Sequence, residues 1–270
     1  NAKLLAATTS GTVTATIDTT ETVDTLKTLY DTSETHAWTI VIGAEDAQIC
    51  TAVQLNTISL ATSEPVSLTN VTALAGSSLT DLATLHTNRA GFSNTSNIAT
   101  INLTDNGGGG DGNVDFGTLH TVISNYKTNI NTDVSFVPES ADTIDIDSTD
   151  ELADFLTHIS NDNLTLDNQS ITVDSSVAVS VANAKSLATD TTGTVTATIE
   201  TVVAASLVGL RTPDNTNNET HNWTITIKAG GEGEDCTAAQ LNTINDATTV
   251  AVNLTNVTAL AASDLTDLNT

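Results

Sequence analysis

The feature that most constrains this chain is a long internal repeat. Residues 9–17 read TSGTVTATI and residues 191–199 read TTGTVTATI, an offset of 182. His36-Ala37-Trp38-Thr39-Ile40 returns 185 residues later as His221-Asn222-Trp223-Thr224-Ile225. CTAVQLNTI at 50–58 returns as CTAAQLNTI at 236–244, and LTNVTAL at 68–74 returns at 254–260, both 186 residues on. Asn1-Ala2-Lys3 matches Asn183-Ala184-Lys185. The chain reads as one full unit, residues 1–182, followed by the first half of a second, residues 183–270. It is expected to be a stretch of a longer array, or a chain whose neighbours continue it.

A finer period lies inside the long one. Val13, Ala15 and Ile17 alternate with Thr12, Thr14 and Thr16, the two-residue period of a half-buried strand. Strand-like runs of this kind are read at 13–17, 38–42, 66–71, 98–103, 143–147, 171–173 and 195–199. Helix-like runs fall between them, at 21–30, 47–58, 77–85, 116–126, 149–159 and 177–187. Ser148 or Thr149 can cap the helix at 149–159. This gives about six strand–helix turns per unit, each of roughly 25–35 residues. A strand, a helix and a second strand make parallel neighbours, and one such turn cannot bury its own apolar face. The expected fold is therefore α/β, a solenoid of stacked strand–helix coils with a parallel sheet. A parallel β-solenoid and a pair of compact α/β domains are the alternatives.

Composition narrows the function. Seven Lys and Arg against 33 Asp and Glu leave a formal charge of -26. That disfavours binding nucleic acid, which needs clustered basic side chains, and docking on anionic lipid. It favours attraction of cations, with divalent ions as lateral glue between chains. Aromatic residues are 3% of the chain and Met is absent, so the core must be thin and aliphatic. No apolar run is long enough to cross a membrane.

The series GTVTATI, CTAxQLNTI, LTNVTALA and LTDL resembles the Thr/Ala-rich repeats of giant secreted surface or filament proteins of cyanobacteria and other aquatic bacteria. The resemblance covers most of the chain outside about residues 88–180. It implies an extracellular, cell-surface or filamentous setting, and it carries over no catalytic residues.

Several residues are singled out. Thr12, Thr14 and Thr16, with Thr194, Thr196 and Thr198, should project from a sheet face. Such ladders can stabilise the strands themselves, pack against another copy, or order water as ice-binding solenoids do. Asp105, Asp111, Asn113 and Asp115 flank a Gly-rich run with the alternating oxygen spacing of calcium loops. The match is partial: Gly117 falls one place late, and Val122 stands where the loop's last carboxylate belongs. A solvated acidic loop is the competing reading. Asn70, Asn102 and Asn256 begin Asn-x-Thr sequons and are candidate glycosylation sites. Cys50 and Cys236 are repeat equivalents. A rigid solenoid would hold them roughly 30 Å apart, too far to bond each other.

No zinc or nucleophile motif is present, so no enzyme activity is expected and no cofactor beyond calcium. The expected function is a structural repeat protein forming an extracellular filament by self-assembly into a homo-polymer. A calcium-stiffened adhesin, an ice-binding solenoid segment, and a viral or phage fibre are the alternatives.

Overall fold

The computed structural model describes residues 2–9, 11–30, 36–46, 49–104, 112–139, 142–210, 221–228, 236–261 and 267. It is a mixed α/β protein whose strand pairs, among the described residues, are all parallel. It divides into two compact units. The first holds Asn1–Gly112, Thr118–Glu139 and Asp162–Thr165; the second holds Asn113–Gly117, Ser140–Asn161 and Leu166–Thr270.

In the first unit, strand Thr14–Thr16 pairs with Ala37–Thr39, and isolated bridges carry that ladder on to Thr62 and Ser67. Val66–Ser67 pairs with Phe92–Ser93. A second ladder runs Ala73–Ser77, Thr100–Leu103, Ser135–Val137. Helices Val23–Leu26, Ala52–Leu60 and Leu79–Thr87 alternate with these strands. In the second unit, Asn113–Asp115, Thr143–Ile146, Ser170–Val173 and Val195–Ile199 form consecutive rungs. Ala178–Val179 and Asn222–Thr224 also pair with Val195–Ile199. Helices Thr149–Ser160, Val181–Asp190, Ala204–Leu207 and Ala238–Asp246 come after their strands. Helix Phe116–Asn129 is the longest of the described elements.

The sequence explains why a strand gives way so abruptly to a helix. A Ser or Thr stands at the junction, in extended conformation, and its hydroxyl accepts the amide three residues on. Thr22, Thr51, Ser78, Ser148, Ser180 and Thr237 all do this. Each satisfies a first-turn N–H that has no partner inside the helix, and is worth about 1 kcal/mol. Thr51 with Gln54 and Thr237 with Gln240 complete reciprocal capping boxes, at equivalent places in the two repeats.

Burial tracks the alternation. Val195, Ala197 and Ile199 are buried, while Thr196 and Thr198 are half-exposed. Leu, Ile and Val make most of the core. Phe116, Phe155, Tyr126 and Phe136 fill the wider places with edge-to-face ring pairs, Phe116 on Phe155 and Tyr126 on Phe136.

Several readings of the sequence need revision: the helix read over 47–58, for one, begins only at Ala52, after the extended Thr51 cap. Residues 66–71 are not one strand. The chain turns after Ser67, and a separate strand runs over Ala73–Ser77. Residues 177–187 likewise begin as strand Ala178–Val179, and the helix starts only after Ser180. A polar turn at Thr69-Asn70 in the first case, and the single extended capping residue Ser180 in the second, divides an apolar pattern that reads as one run.

Candidate assembly surface

Three buried threonines show how successive segments are held. Thr62 Oγ1 donates to the Trp38 carbonyl at 2.8 Å and accepts the Glu64 amide at 3.0 Å. Its repeat equivalent Thr248 donates to the Trp223 carbonyl at 2.8 Å and accepts the Val250 amide at 3.1 Å. Thr191 donates to Gln169 O at 2.5 Å and accepts from Gly193 N at 2.9 Å. Each hydroxyl closes its own turn and fastens it to the segment one strand–helix period before. Each also satisfies a buried polar group that water cannot reach.

Histidine and asparagine extend the pattern. His36 Nδ1 accepts the Val13 amide at 3.2 Å, and His221 Nδ1 accepts the Val195 amide at 3.2 Å. The histidine rings lie 4.9 and 5.0 Å from Trp38 and Trp223. Both indole Nε1 atoms are buried without a hydrogen-bond partner.

The Asn70 amide donates to Ile42 O at 2.8 Å, Asn97 to Thr69 O at 2.8 Å, Asn102 to Leu74 O at 3.1 Å, and Asn256 to Ile227 O at 3.1 Å. These four bonds span 28 or 29 residues each, one strand–helix period. The amide nitrogens of Asn70, Asn102 and Asn256, the atoms a glycan would occupy, are thus engaged with neighbouring main chain. Sequence reasoning finds these residues only as sequons. The shared context LTNVT at 68–72 and 254–258 is the available sign of a common structural job.

The predicted threonine ladders lie on the sheet exterior. Thr12, Thr14 and Thr16 are exposed, and Thr16 pairs in register with Thr39. Thr194 is exposed, Thr196 stands between Thr172 and Asn222, and Thr198 pairs with Thr224. Across the second unit, one outward row runs Asp115, Asp145, Thr172, Thr196, Asn222. Its rungs are separated by about 4.8 Å. The Asn222 amide donates to Thr196 Oγ1 at 3.4 Å, and Thr249 Oγ1 donates to Asn222 Oδ1. The row is therefore mixed acidic and hydroxylic, and part of its hydrogen-bonding capacity is used along the sheet.

Of the candidate calcium ligands, Asp105 and Asp111 lie outside the described residues. Asn113 and Asp115 sit on a strand, both outward, with Val114 buried between them. Asp115 stands directly across from Asp145 in the parallel register. Among the described residues, no group of three or more His, Cys, Asp or Glu side chains is arranged to hold a metal.

Cys50 and Cys236 are both buried free thiols. Burial pushes the Cys50 thiol up to about 11, and the nearby Asp46 carboxylate adds to the rise. A shallow polar depression is lined by Thr87, Arg89, Ala90, Thr95 and Asn129. Nearby, His86 is held below its usual range by desolvation and by the Arg89 charge. No helix among the described residues is long and apolar enough to cross a membrane.

No protein-family model, curated protein or solved structure matches this chain.

Proposed function

We propose that this chain is a structural repeat protein. Its strand–helix segments stack as the coils of an α/β solenoid, and copies assemble with one another into an extracellular filament or cell-surface fibre. The observation that carries this reading is the recurrence of the same main-chain fastenings, one period apart, in both repeats. Thr62 with Trp38 and Thr248 with Trp223 are the clearest instance. A fastening that links each segment only to its sequence neighbour is what a stack of repeats requires. The role is architectural rather than catalytic and needs neither nucleic acid nor membrane insertion. The resemblance to Thr/Ala-rich secreted repeats points to the same setting.

The charge of -26 makes copies repel, so assembly strengthens with salt and with divalent cations. One observation favours calcium as a stiffening ion: Asp115 and Asp145 face each other across adjacent strands. Like charges directly across a strand pair disfavour pairing, and a bridging cation is one way to offset that. This is the adhesin reading, and calorimetric titration with calcium addresses it; a heat absent from an Asp115→Asn variant supports it. The ice-binding reading is weaker, because the outward row mixes Asp and Asn with Thr; thermal hysteresis measures it.

Sedimentation of the chain over a concentration series tests the assembly reading itself. The expected result is a mean mass that rises without a plateau, with fibres in electron micrographs. A monomer mass independent of concentration, at physiological salt and with calcium added, contradicts it.

A further inference from the structure

The chain holds nine Asn-x-Ser/Thr sequons, at asparagines 70, 94, 102, 163, 168, 218, 222, 253 and 256. A chain this rich in Asn and Thr makes sequons by chance, so the fold has to sort them. An asparagine that carries sugar needs its side-chain nitrogen free and in water, and the hydroxyl two residues on belongs to the recognised motif.

The fold commits most of these groups to itself. Asn70, Asn102 and Asn256 give their amides to carbonyls one strand–helix period away. Asn163 is buried. The Asn222 amide donates to Thr196 Oγ1 at 3.4 Å, and that of Asn94 to Ser67 Oγ at 3.2 Å. At Asn253 the sequon closes on itself: the amide and the hydroxyl of Thr255 both donate to Asn253 Oδ1. Asn218 lies outside the described residues.

Asn168-Gln169-Ser170 is built differently. Asn168 is exposed and Ser170 half-exposed, while Gln169 between them is 1% exposed. Neither the Asn168 amide nor the Ser170 hydroxyl makes a hydrogen bond among the described residues. Gln169 is the anchor. Its Oε1 accepts the Asp167 amide at 2.6 Å, and its carbonyl accepts the buried Thr191 hydroxyl. The Asp167 carbonyl takes the amide and the hydroxyl of Thr192, at 2.7 and 3.1 Å. The bend is pinned on both sides of Asn168, yet the Asn168 side chain holds nothing. A sugar there breaks no bond of the fold. At Asn70, Asn102 or Asn256 it would take a donor away from a main-chain carbonyl.

We propose that Asn168 is a site of N-linked glycosylation. The reaction joins Asn168 Nδ2 to the anomeric carbon of a sugar carried on a polyprenyl diphosphate. The bond from that carbon to the diphosphate oxygen breaks, polyprenyl diphosphate leaves, and one amide proton passes to a base of the transferase. The site rests on the extracellular setting of the reading above, since such acceptors lie on secreted chains, but not on the polymer.

The test maps the sequons in the folded chain and in one synthetic peptide per sequon. Both are given to a single-subunit oligosaccharyltransferase with N-acetylglucosamine diphosphate polyprenol as donor, and the products are read by mass spectrometry. The peptides are expected to react. In the folded chain Asn168 is expected to react like its peptide. Asn70, Asn102, Asn163 and Asn256 are expected to react about 100-fold more slowly, because each waits on local opening of the fold. Asn168→Gln and Ser170→Ala are expected to abolish the Asn168 product and to leave Trp38 and Trp223 fluorescence and thermal unfolding unchanged. The same mapping of the chain isolated from the cells that make it is expected to find sugar on the Asn168 peptide.

A folded chain bare at Asn168 whose peptide reacts overturns the site. So does an unreactive Asn168 peptide beside reactive ones, equal reaction at Asn70 and Asn168 in the folded chain, or native material without sugar at Asn168. None of these touches the assembly reading, which sedimentation tests alone. A chain that stays monomeric and carries sugar at Asn168 overturns assembly and keeps the site.

Discussion

The hydroxyl of Thr62 donates to the main-chain carbonyl of Trp38 at 2.8 Å, from a position 24 residues further along the chain. The same oxygen accepts the Glu64 amide. One buried atom thereby joins two consecutive strand–helix segments and shapes the turn that enters the second. Replacing Thr62 by Val keeps the volume and removes both bonds. The expected loss is about 1–3 kcal/mol, because a carbonyl and an amide are left without partners. Thr62→Ser, which keeps the oxygen, is expected to lose less. Urea unfolding followed by Trp38 fluorescence measures the order of the two variants, and a Val variant as stable as the Ser variant contradicts the role.

Gly193 and Gly11 occupy the same place in the repeat but not in the packing. Gly193→Ala must displace the Gln169 main chain and is expected to destabilise by about 1–3 kcal/mol. Gly11→Ala meets only Thr9 Oγ1 in ordinary contact and is expected to lie within about 0.5 kcal/mol of the parent, measured where chains are dilute and monomeric. Thermal unfolding of the two single variants decides the point; equal effects would contradict the difference in packing.

Acid is expected to act on particular turns. Asp18 accepts the amide and hydroxyl of Thr20, and Asp174 those of Ser176; these bonds hold both carboxyls below the usual range. A folded value lower than the unfolded one, about 3.9, stabilises the protein above that unfolded value. The contribution is lost as pH falls through the folded value, so the window lies on the acid side of about pH 4. Asn253 makes the same turn with Thr255 through an amide oxygen, at 3.0 and 2.6 Å, and carries no charge. Asp174→Asn is therefore expected to keep the turn and flatten the acid limb of stability. Carboxyl titrations followed by NMR measure the shifts, and an Asp174 that titrates at or above the unfolded value contradicts the account.

Cys50 is buried, and its thiol is pushed up to about 11 by that burial, so it stays a thiol at neutral pH. A thiolate is the reacting species, and little of it forms while the fold stands. Labelling with a thiol reagent at about pH 8 is expected to proceed only as fast as Cys50 is uncovered by opening of the fold. Labelling at the rate of an exposed cysteine would contradict its placement.

Much of the local structure is legible in the sequence, and the reasons are specific. The alternation of Val195, Ala197 and Ile199 with threonines marks strand 195–199, and Ser148 stands where helix Thr149–Ser160 needs a cap. The features that escape a sequence reading depend on distance along the chain. Asn70 and Asn102 read as sequons because nothing local reveals that their amides reach carbonyls 28 residues back. Asn113 and Asp115 read as loop ligands because alternating oxygens beside glycines look alike whether they wrap an ion or line a strand. Pairing with Thr143–Ile146 makes them a strand. The division of 66–71 is hidden because Leu68 and Val71 are buried on either side of the turn, so the apolar pattern runs straight through it.

X-ray diffraction from aligned, concentrated samples of the chain tests the stacked-coil account most directly. Parallel strands laid one on another along a fibre axis predict a meridional reflection near 4.8 Å, parallel to the long axis of the particles. Its absence from well-aligned fibres, or the same spacing running across the axis, would contradict the account.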